Sequence, residues 1–328
     1  MALPKSRTTR RGQVETERAR GGEFAAIERV RRMLPPPPTG EVWIGDDAAV
    51  FGPVEGQLLF TTDQSVAGVH ADLDLVDLDD LGWRAVARAV SDVAAMGGQA
   101  LRAVVAVAGP PTTDLDLLYR GVVACAAAHR CPVVGGDLSS APGMTVTVSV
   151  VGHLPTGGPV LRSGAAPGDV VLVTGPLGAA AAGLRLLRGE AGQRGAPGSS
   201  DEVLVAAHRR PRALLAEGEA ARLAGATAMI DVSDGLAADL GHLARASGVG
   251  FRLEHVPVAP GATRADALGG GDDYELVVTT QHADAVIETF TALGLRPPIA
   301  IGICTADPTE ATVGGAPIDG AGWEHPWR

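Results

Sequence analysis

Apolar positions along this chain change period repeatedly, and the changes mark out its elements. Over residues 23–34, Phe24, Ile27, Val30 and Leu34 fall at i, i+3, i+6 and i+10, which predicts an amphipathic helix that the run Pro35 to Pro38 must end. Short β-like pieces follow at 42–44 and 58–62. A helix is predicted over 79–96, with Gly97 and Gly98 as its stop. Residues 102–108 read as a strand, 114–129 as a helix, 132–134 as a short strand and 144–153 as a longer one.

A Gly- and Pro-rich stretch at 155–168 then interrupts the pattern, and we set a domain boundary there. The second half predicts strand 170–174, helix 177–187, a Gly/Ser-rich loop 189–200 and helices 201–208 and 212–224. Strand 226–230, helix 236–246, strand 274–279 and helix 283–293 complete it. Strands and helices interleave in both halves, so the expected class is α/β or α+β in two domains, 21–154 and 155–328. Residues 1–20 carry six basic residues and no apolar core, and read as a flexible basic arm rather than a secretory signal.

Composition narrows the chemistry. The chain has 328 residues and a net charge of −11, and aromatics make up only 3%. Nucleic acid is therefore a poor partner, since binding to it rests on Lys and Arg contacts to phosphate and on stacking surfaces. Apolar runs are too short for a membrane span. Three cysteines, Cys125, Cys131 and Cys304, form no CxxC pair, so neither a disulfide framework nor a structural zinc site is indicated and a reducing cytoplasm fits. The only lysine is Lys5, and asparagine is absent. Phosphate chemistry in this chain must draw its positive charge from arginine and from metal ions.

A set of aspartates stands at predicted strand ends and loops: Asp46 with Asp47, Asp63, Asp137, and Asp231 with Asp234; Asp92 interrupts an Ala/Val helix. Each has an ordinary structural reading. Asp231 or Ser233 can cap the helix that follows, and Asp92 can pair with Arg88 one turn away. Were several to converge, two carboxylates 4 Å apart would repel by about 4 kcal/mol at an effective dielectric of 20. Bound cations relieve that repulsion, and an all-oxygen site selects hard ions such as magnesium.

These residues lie within motifs that occur in order: Gly22-Glu23-Phe24, Ile44-Gly45-Asp46-Asp47-Ala48-Ala49, Thr61-Thr62-Asp63 with Ala67-Gly68-Val69-His70, and Ser91-Asp92-Val93-Ala94-Ala95-Met96-Gly97. Gly135-Gly136-Asp137, Arg162-Ser163-Gly164-Ala165, Asp231-Val232-Ser233-Asp234-Gly235-Leu236 and Gly270-Gly271-Asp272-Asp273-Tyr274-Glu275-Leu276 follow. The ordered set resembles the thiamine-monophosphate kinase family of the aminoimidazole ribonucleotide synthetase superfamily, from about Gly21 to Trp323. The resemblance implies ATP-dependent phosphorylation of thiamine monophosphate to thiamine diphosphate by direct in-line transfer. It also implies a two-domain PurM-like fold, in which the N-terminal domain holds metal and ATP and forms a β-barrel with that of a second subunit in a homodimer. An α+β C-terminal domain packs beside it.

Carried over residue by residue, Asp47, Thr61, Thr62, Asp63, Asp92, Asp137, Asp231 and Asp234 look like the Mg²⁺ shell, with Asp63, Asp137, Asp231 and Asp234 as its catalytic members. Gly136, Asp137, Arg162 and Ser233 look like ATP contacts, and His70, Asp272 and Trp323 like contacts to thiamine monophosphate. The chain has Asp272 where the family pattern has Glu, and Ala179-Ala180 where it has Asp-Ser. Two alternatives stay open: a sibling ATP-using synthetase or maturation factor, and a nucleotide- or thiamine-phosphate-binding protein without turnover.

Overall fold

The computed structural model describes residues 23–189, 200–318 and 322–323. The basic arm over 1–20 and most of the loop at 189–200 lie outside them. In the first half, α1 (Glu23–Met33) precedes β1 (Gln57–Val66), α2 (Leu78–Ala95), β2 (Gln99–Gly109), α3 (Leu115–Ala128), β3 (Val133–Ser140) and β4 (Thr145–Leu154). Asp77 starts α2 by accepting a hydrogen bond from the Asp80 amide, and Gly97, at φ +71°, lets the chain turn away after its last residues.

The four strands form one sheet in the order β1-β4-β2-β3, with only β2 and β3 parallel. Even-numbered residues of β4 from Val146 to Leu154 are buried, and Val146, Val148 and Val150 share a core with Val86, Val90 and Val93 of α2. The opposite face of the sheet is open: Phe60 is 73% exposed and Leu58 62%.

β3 runs six residues further than the apolar pattern at 132–134 suggests, and Gly135-Gly136-Asp137 lies inside it. Parallel pairing with β2 carries it on, with Ala106 opposite Asp137. Gly136 is dictated by that pairing, because a Cβ there would stand 1.9 Å from the Val105 carbonyl oxygen.

The second half contributes β5 (Val170–Val173), α4 (Ala179–Leu187), α5 (Ser200–Arg209), α6 (Leu215–Leu223), β6 (Ala226–Asp231) and α7 (Leu236–Ser247). After them come β7 (Gly250–Leu253), α8 (Arg264–Gly269), β8 (Leu276–Thr280), α9 (Ala283–Ala292), β9 (Ile299–Thr305), β10 (Ala311–Val313) and β11 (Ala316–Pro317). Its seven strands lie in the order β11-β10-β7-β9-β5-β8-β6, and only β7 and β10 pair in parallel. The result is the expected two-part mixed α and β architecture.

The halves are tightly joined. Leu187 and Ala213 are buried in the same core cluster as Val86 and Val122 of the first half. The segment after α5 lies across α2 and α3: the Trp83 indole donates to the Pro211 carbonyl at 2.7 Å, and the Ala213 amide donates to His129 Nε2 at 3.1 Å. His129 also bonds the Cys125 carbonyl through Nδ1 at 2.8 Å, so both ring nitrogens are used and the ring is neutral. Among the described residues no helix is long and apolar enough to cross a membrane.

Candidate active site

Strand alternation divides the consecutive residues Thr61, Thr62 and Asp63. Thr61 and Asp63 pair with Val150 and Val148, whose side chains face α2, whereas Thr62 pairs with Ser149 on the open face. The Thr61 hydroxyl donates to Asp92 of α2 at 2.5 Å. Its neighbour Ser91 donates to Asp231, at the end of β6, at 2.6 Å. Two adjacent positions of one helix thus join β1 of the first half to β6 of the second.

These carboxylates interact electrostatically. Asp92 is pushed up to about 6 by burial, with the charges of Asp231 and Asp63 adding; the Thr61 hydrogen bond and Arg162 oppose the shift. Asp231, only 4% exposed, is also raised by burial, against Ser91 and Arg162. Asp63, Asp92, Asp231 and Arg162 therefore share one environment at the seam between the halves. Arg88 does not pair with Asp92. It lies 3.6 Å from Asp63 and 3.7 Å from Asp272 instead.

The Asp231-to-Gly235 turn is built from backbone contacts. Asp239, one turn into α7, accepts hydrogen bonds from the Asp234 and Gly235 amides, both at 3.0 Å. Neither Asp231 nor Ser233 caps α7; its N-cap is Gly235, without a side-chain bond. Burial, then the neighbouring Asp231, pushes Asp239 up to about 8. The loop before β8 lies against this turn, the Asp272 amide donating to the Ser233 carbonyl and the Tyr274 amide to that of Val232, each at 2.9 Å. A Cβ on Gly271 would stand 2.3 Å from the Ser233 oxygen, so the approach requires glycine. The Trp323 amide donates to the Asp234 carbonyl at 3.1 Å, which brings the C-terminal segment to the same turn.

Asp272 and Tyr274 both occupy the left-handed region, at φ +65° and +51°. Aspartate tolerates that conformation, but tyrosine does so only when its surroundings fix it. Here the Tyr274 ring is buried and its hydroxyl donates to Asp272 Oδ1 at 2.8 Å. The other oxygen of Asp272 receives Arg84 at 2.7 Å. Burial opposes ionisation of Asp272, but Arg84, Arg88 and the Tyr274 hydroxyl prevail and hold its carboxyl well below the usual range. Arg84 itself is 1% exposed and also donates to the His208 and His70 carbonyls. His70 accepts from the Val66 amide through Nδ1 at 3.0 Å, which leaves the proton of the neutral ring on Nε2.

Next to it, Asp273 accepts from the Gly178 amide at 2.6 Å and the Ala180 amide at 3.1 Å. Its carboxyl, pushed up to about 7 by burial, occupies the N-terminus of α4 from outside that helix, where Ala179 and Ala180 offer no polar side chain of their own.

Asp47, Gly136 and Asp137 are elsewhere in the chain. They line a cleft of about 730 Å³ with Trp43 and Tyr119, against β2 and β3. Asp63, Val148, Val105 and Gly136 form one row across the sheet. Three strand spacings of about 4.8 Å therefore separate its two ends by roughly 14 Å. Of the eight residues of the expected metal shell, Thr61, Asp63, Asp92 and Asp231 meet at the seam with Asp234 on the adjoining turn, Asp47 and Asp137 line the cleft, and Thr62 faces the open side of β1. Among the described residues no three His, Cys, Asp or Glu side chains already stand together as a metal site. The seam group nevertheless fits a hard divalent cation: its donors are all oxygen, and burial together with the neighbouring carboxylates raises Asp92. Magnesium needs only one or two carboxylates beside water and phosphate.

The chain is similar to known proteins in both halves. The N-terminal domain of AIR synthase related protein matches residues 45–154, and its C-terminal domain matches residues 166–314. A thiamine-monophosphate kinase of Mycobacterium tuberculosis is 36% identical over 92% of this chain and 91% of its own. The crystal structure of thiamine-monophosphate kinase from Stenotrophomonas maltophilia superposes with a TM-score of 0.77 at 31% identity, covering 90% of this chain and 98% of that one. AaThiL complexed with AMPPCP and TMP superposes at 0.72 and 30% identity, covering 98% and 100%. With both domains matched and the likeness running through nearly the whole length, this chain belongs to the AIR synthase related proteins, among the thiamine-monophosphate kinases.

Proposed function

We propose that this chain transfers the γ-phosphoryl group of ATP to the phosphate of thiamine monophosphate at the seam between its halves, releasing ADP and thiamine diphosphate. The observation that carries the reading is the convergence of Asp63, Asp92 and Asp231 with Arg162 where β1, α2 and β6 meet. The AaThiL complex with AMPPCP and TMP supports the choice of both substrates.

The attacking group is a phosphate oxygen already ionised at neutral pH, so the protein need not supply a strong base. Positioning and charge neutralisation are what its residues provide. Mg²⁺ held by Asp63, Asp92 and Asp231, with Asp47, Thr61, Thr62, Asp137 and Asp234 completing the set, would neutralise charge between the two reacting phosphates. Arg162, Ser233, Gly136 and Asp137 contact ATP in this reading. His70 and Trp323 flank the thiamine monophosphate, and Asp272 orders its end of the site through Arg84, Arg88 and Tyr274.

The active unit is a homodimer. Two observations support this: the open sheet face presents Leu58, Phe60 and Val104 to solvent, and the Asp47/Asp137 group is about 14 Å from the Asp63 group within one chain. A second subunit covering that face would bury the apolar side chains and bring a second copy of the group near. The buried free thiols of Cys125, Cys131 and Cys304 suit a cytoplasmic enzyme.

A coupled assay of ADP release tests the function, with thiamine monophosphate compared against other phosphate acceptors, with and without EDTA. Turnover that requires thiamine monophosphate and a divalent ion is expected. Equal ADP release without any acceptor, or none with it, would overturn the reading.

A further inference from the structure

We propose that Arg88 is the side chain that grips the phosphate of the acceptor, a role that rests on the function proposed above. Arg88 and Arg84 are one helical turn apart on α2, yet their circumstances differ. Arg84 makes hydrogen bonds to Asp272, to the His70 carbonyl and to the His208 carbonyl. Arg88 is 16% exposed at its side chain, and its two ion pairs, 3.6 Å to Asp63 and 3.7 Å to Asp272, exceed hydrogen-bonding distance. Its buried Nε has no hydrogen-bond partner among the described residues.

A guanidinium withdrawn from water with five donors and no short bond is costly unless something else accepts those bonds. Arginines with a structural task here make short hydrogen bonds, even Arg102 and Arg209, whose buried Nε also lacks a partner but which bond Glu41 and the Leu75 carbonyl through other nitrogens. Arg185, for example, holds Asp266 with two bonds of 2.9 and 2.7 Å. Arg88 is instead poised, aligned by two carboxylates and bonded closely to neither.

Position selects the occupant. Asp63 at one end of the guanidinium belongs to the carboxylate group at the seam, and Asp272 at the other belongs to the loop packed on the Asp231-to-Gly235 turn. The cleft with Gly136 and Asp137, proposed for the nucleotide, lies across the sheet from Asp63. Arg162 already supplies a positive charge beside Asp92 and Asp231. Two phosphates must be held against each other in this reaction, and the chain offers two separate arginines beside one carboxylate group. A planar fork can bond two oxygens of a phosphomonoester at once, which fits the acceptor end.

Steady-state kinetics on the full-length enzyme test this, varying thiamine monophosphate and ATP in turn. Arg88→Gln should raise KM for thiamine monophosphate by about ten- to hundredfold, the range for lost hydrogen bonds to a charged group, with KM for ATP changed less than about twofold. Arg88→Met, which keeps the packing of the buried stem, should behave alike and substitutes for Arg88→Gln if that variant does not fold. Arg88→Lys should recover part of the loss, because it restores charge without the fork. An unchanged KM for thiamine monophosphate in folded Arg88→Gln or Arg88→Met, or equal rises for both substrates, would overturn the assignment. Wild-type enzyme that releases no ADP with thiamine monophosphate would instead overturn the functional reading itself.

Discussion

Arg84 and Asp272 meet at 2.7 Å although 188 positions separate them in sequence, one on α2 and the other in the loop before β8. The contact fastens the second half of the chain to the helix that carries Asp92, so the relative position of Asp92 and Asp231 depends on it. Removing one member of a buried pair leaves the other charge uncompensated, at a cost of about 3–5 kcal/mol. Asp272→Ala should therefore lower unfolding stability by that order in urea titrations. The double variant with Arg84→Met should recover part of the loss. Additive losses in the cycle would show that the pair is not coupled.

The carboxylates at the seam predict a strict need for a divalent ion. Asp63→Asn and Asp231→Asn should each reduce kcat by at least about a hundredfold, in the range of losing one electrostatic stabiliser, while the fold survives. Circular dichroism checks the fold and the coupled assay checks kcat. Full turnover in excess EDTA, or near-normal kcat in both variants, would remove these residues from the metal site.

Much of the frame is legible in the sequence where local signals agree. α2 shows a helical period, a cap at Asp77 and a glycine stop, and it forms within one residue of the predicted ends. β9 escapes because Gly302 looks like a break. In the sheet it is a close approach, where a Cβ would stand 2.2 Å from the Arg252 carbonyl oxygen. α8 is only six residues long, yet its Thr263/Asp266 capping box is a readable signal. Of the site, the aspartates can be read from their strand-end contexts. Their partners cannot: Ser91 meets Asp231 from 140 positions away, and Arg84 and Arg88 look like ordinary surface arginines of an amphipathic helix. Asp239 and Asp273 work by accepting backbone amides of other turns, for which sequence spacing carries no signature.

Histidine burial predicts a pH dependence of stability. His208 is 5% exposed, and burial, with the charge of Arg84 adding, pushes its imidazole down to about 4. An unfolded histidine titrates near 6.5, so below that pH the unfolded chain takes up a proton that the folded chain refuses. The stabilisation is complete above about pH 6.5 and is lost as pH falls toward 4, by up to about 3 kcal/mol. Asp239 and Asp273, raised to about 8 and about 7, act in the opposite sense, favouring the fold at low pH and losing that contribution as pH rises. Comparing wild type with His208→Gln cancels them. Urea midpoints at pH 7.5 and 4.5 should fall further for wild type than for the variant. Equal falls would mean that His208 is not held neutral in the fold.

Trp323 has its amide on the Asp234 carbonyl, and the residue is 52% exposed beside the turn that carries Asp231 and Ser233. An indole so placed can lie against the cationic thiazolium ring of thiamine monophosphate, an attraction of about 0.5–2 kcal/mol. Trp323→Ala should then raise KM for thiamine monophosphate by roughly two- to thirtyfold and KM for ATP much less, because the attraction of an aromatic face is for the cationic ring, which the nucleotide lacks. Trp323→Phe retains an aromatic face and should lose less than Trp323→Ala. The comparison of the two substrates decides the matter: if both KM values rise equally, the indole supports the Asp231-to-Gly235 turn by packing, and the thiamine ring is held by other residues.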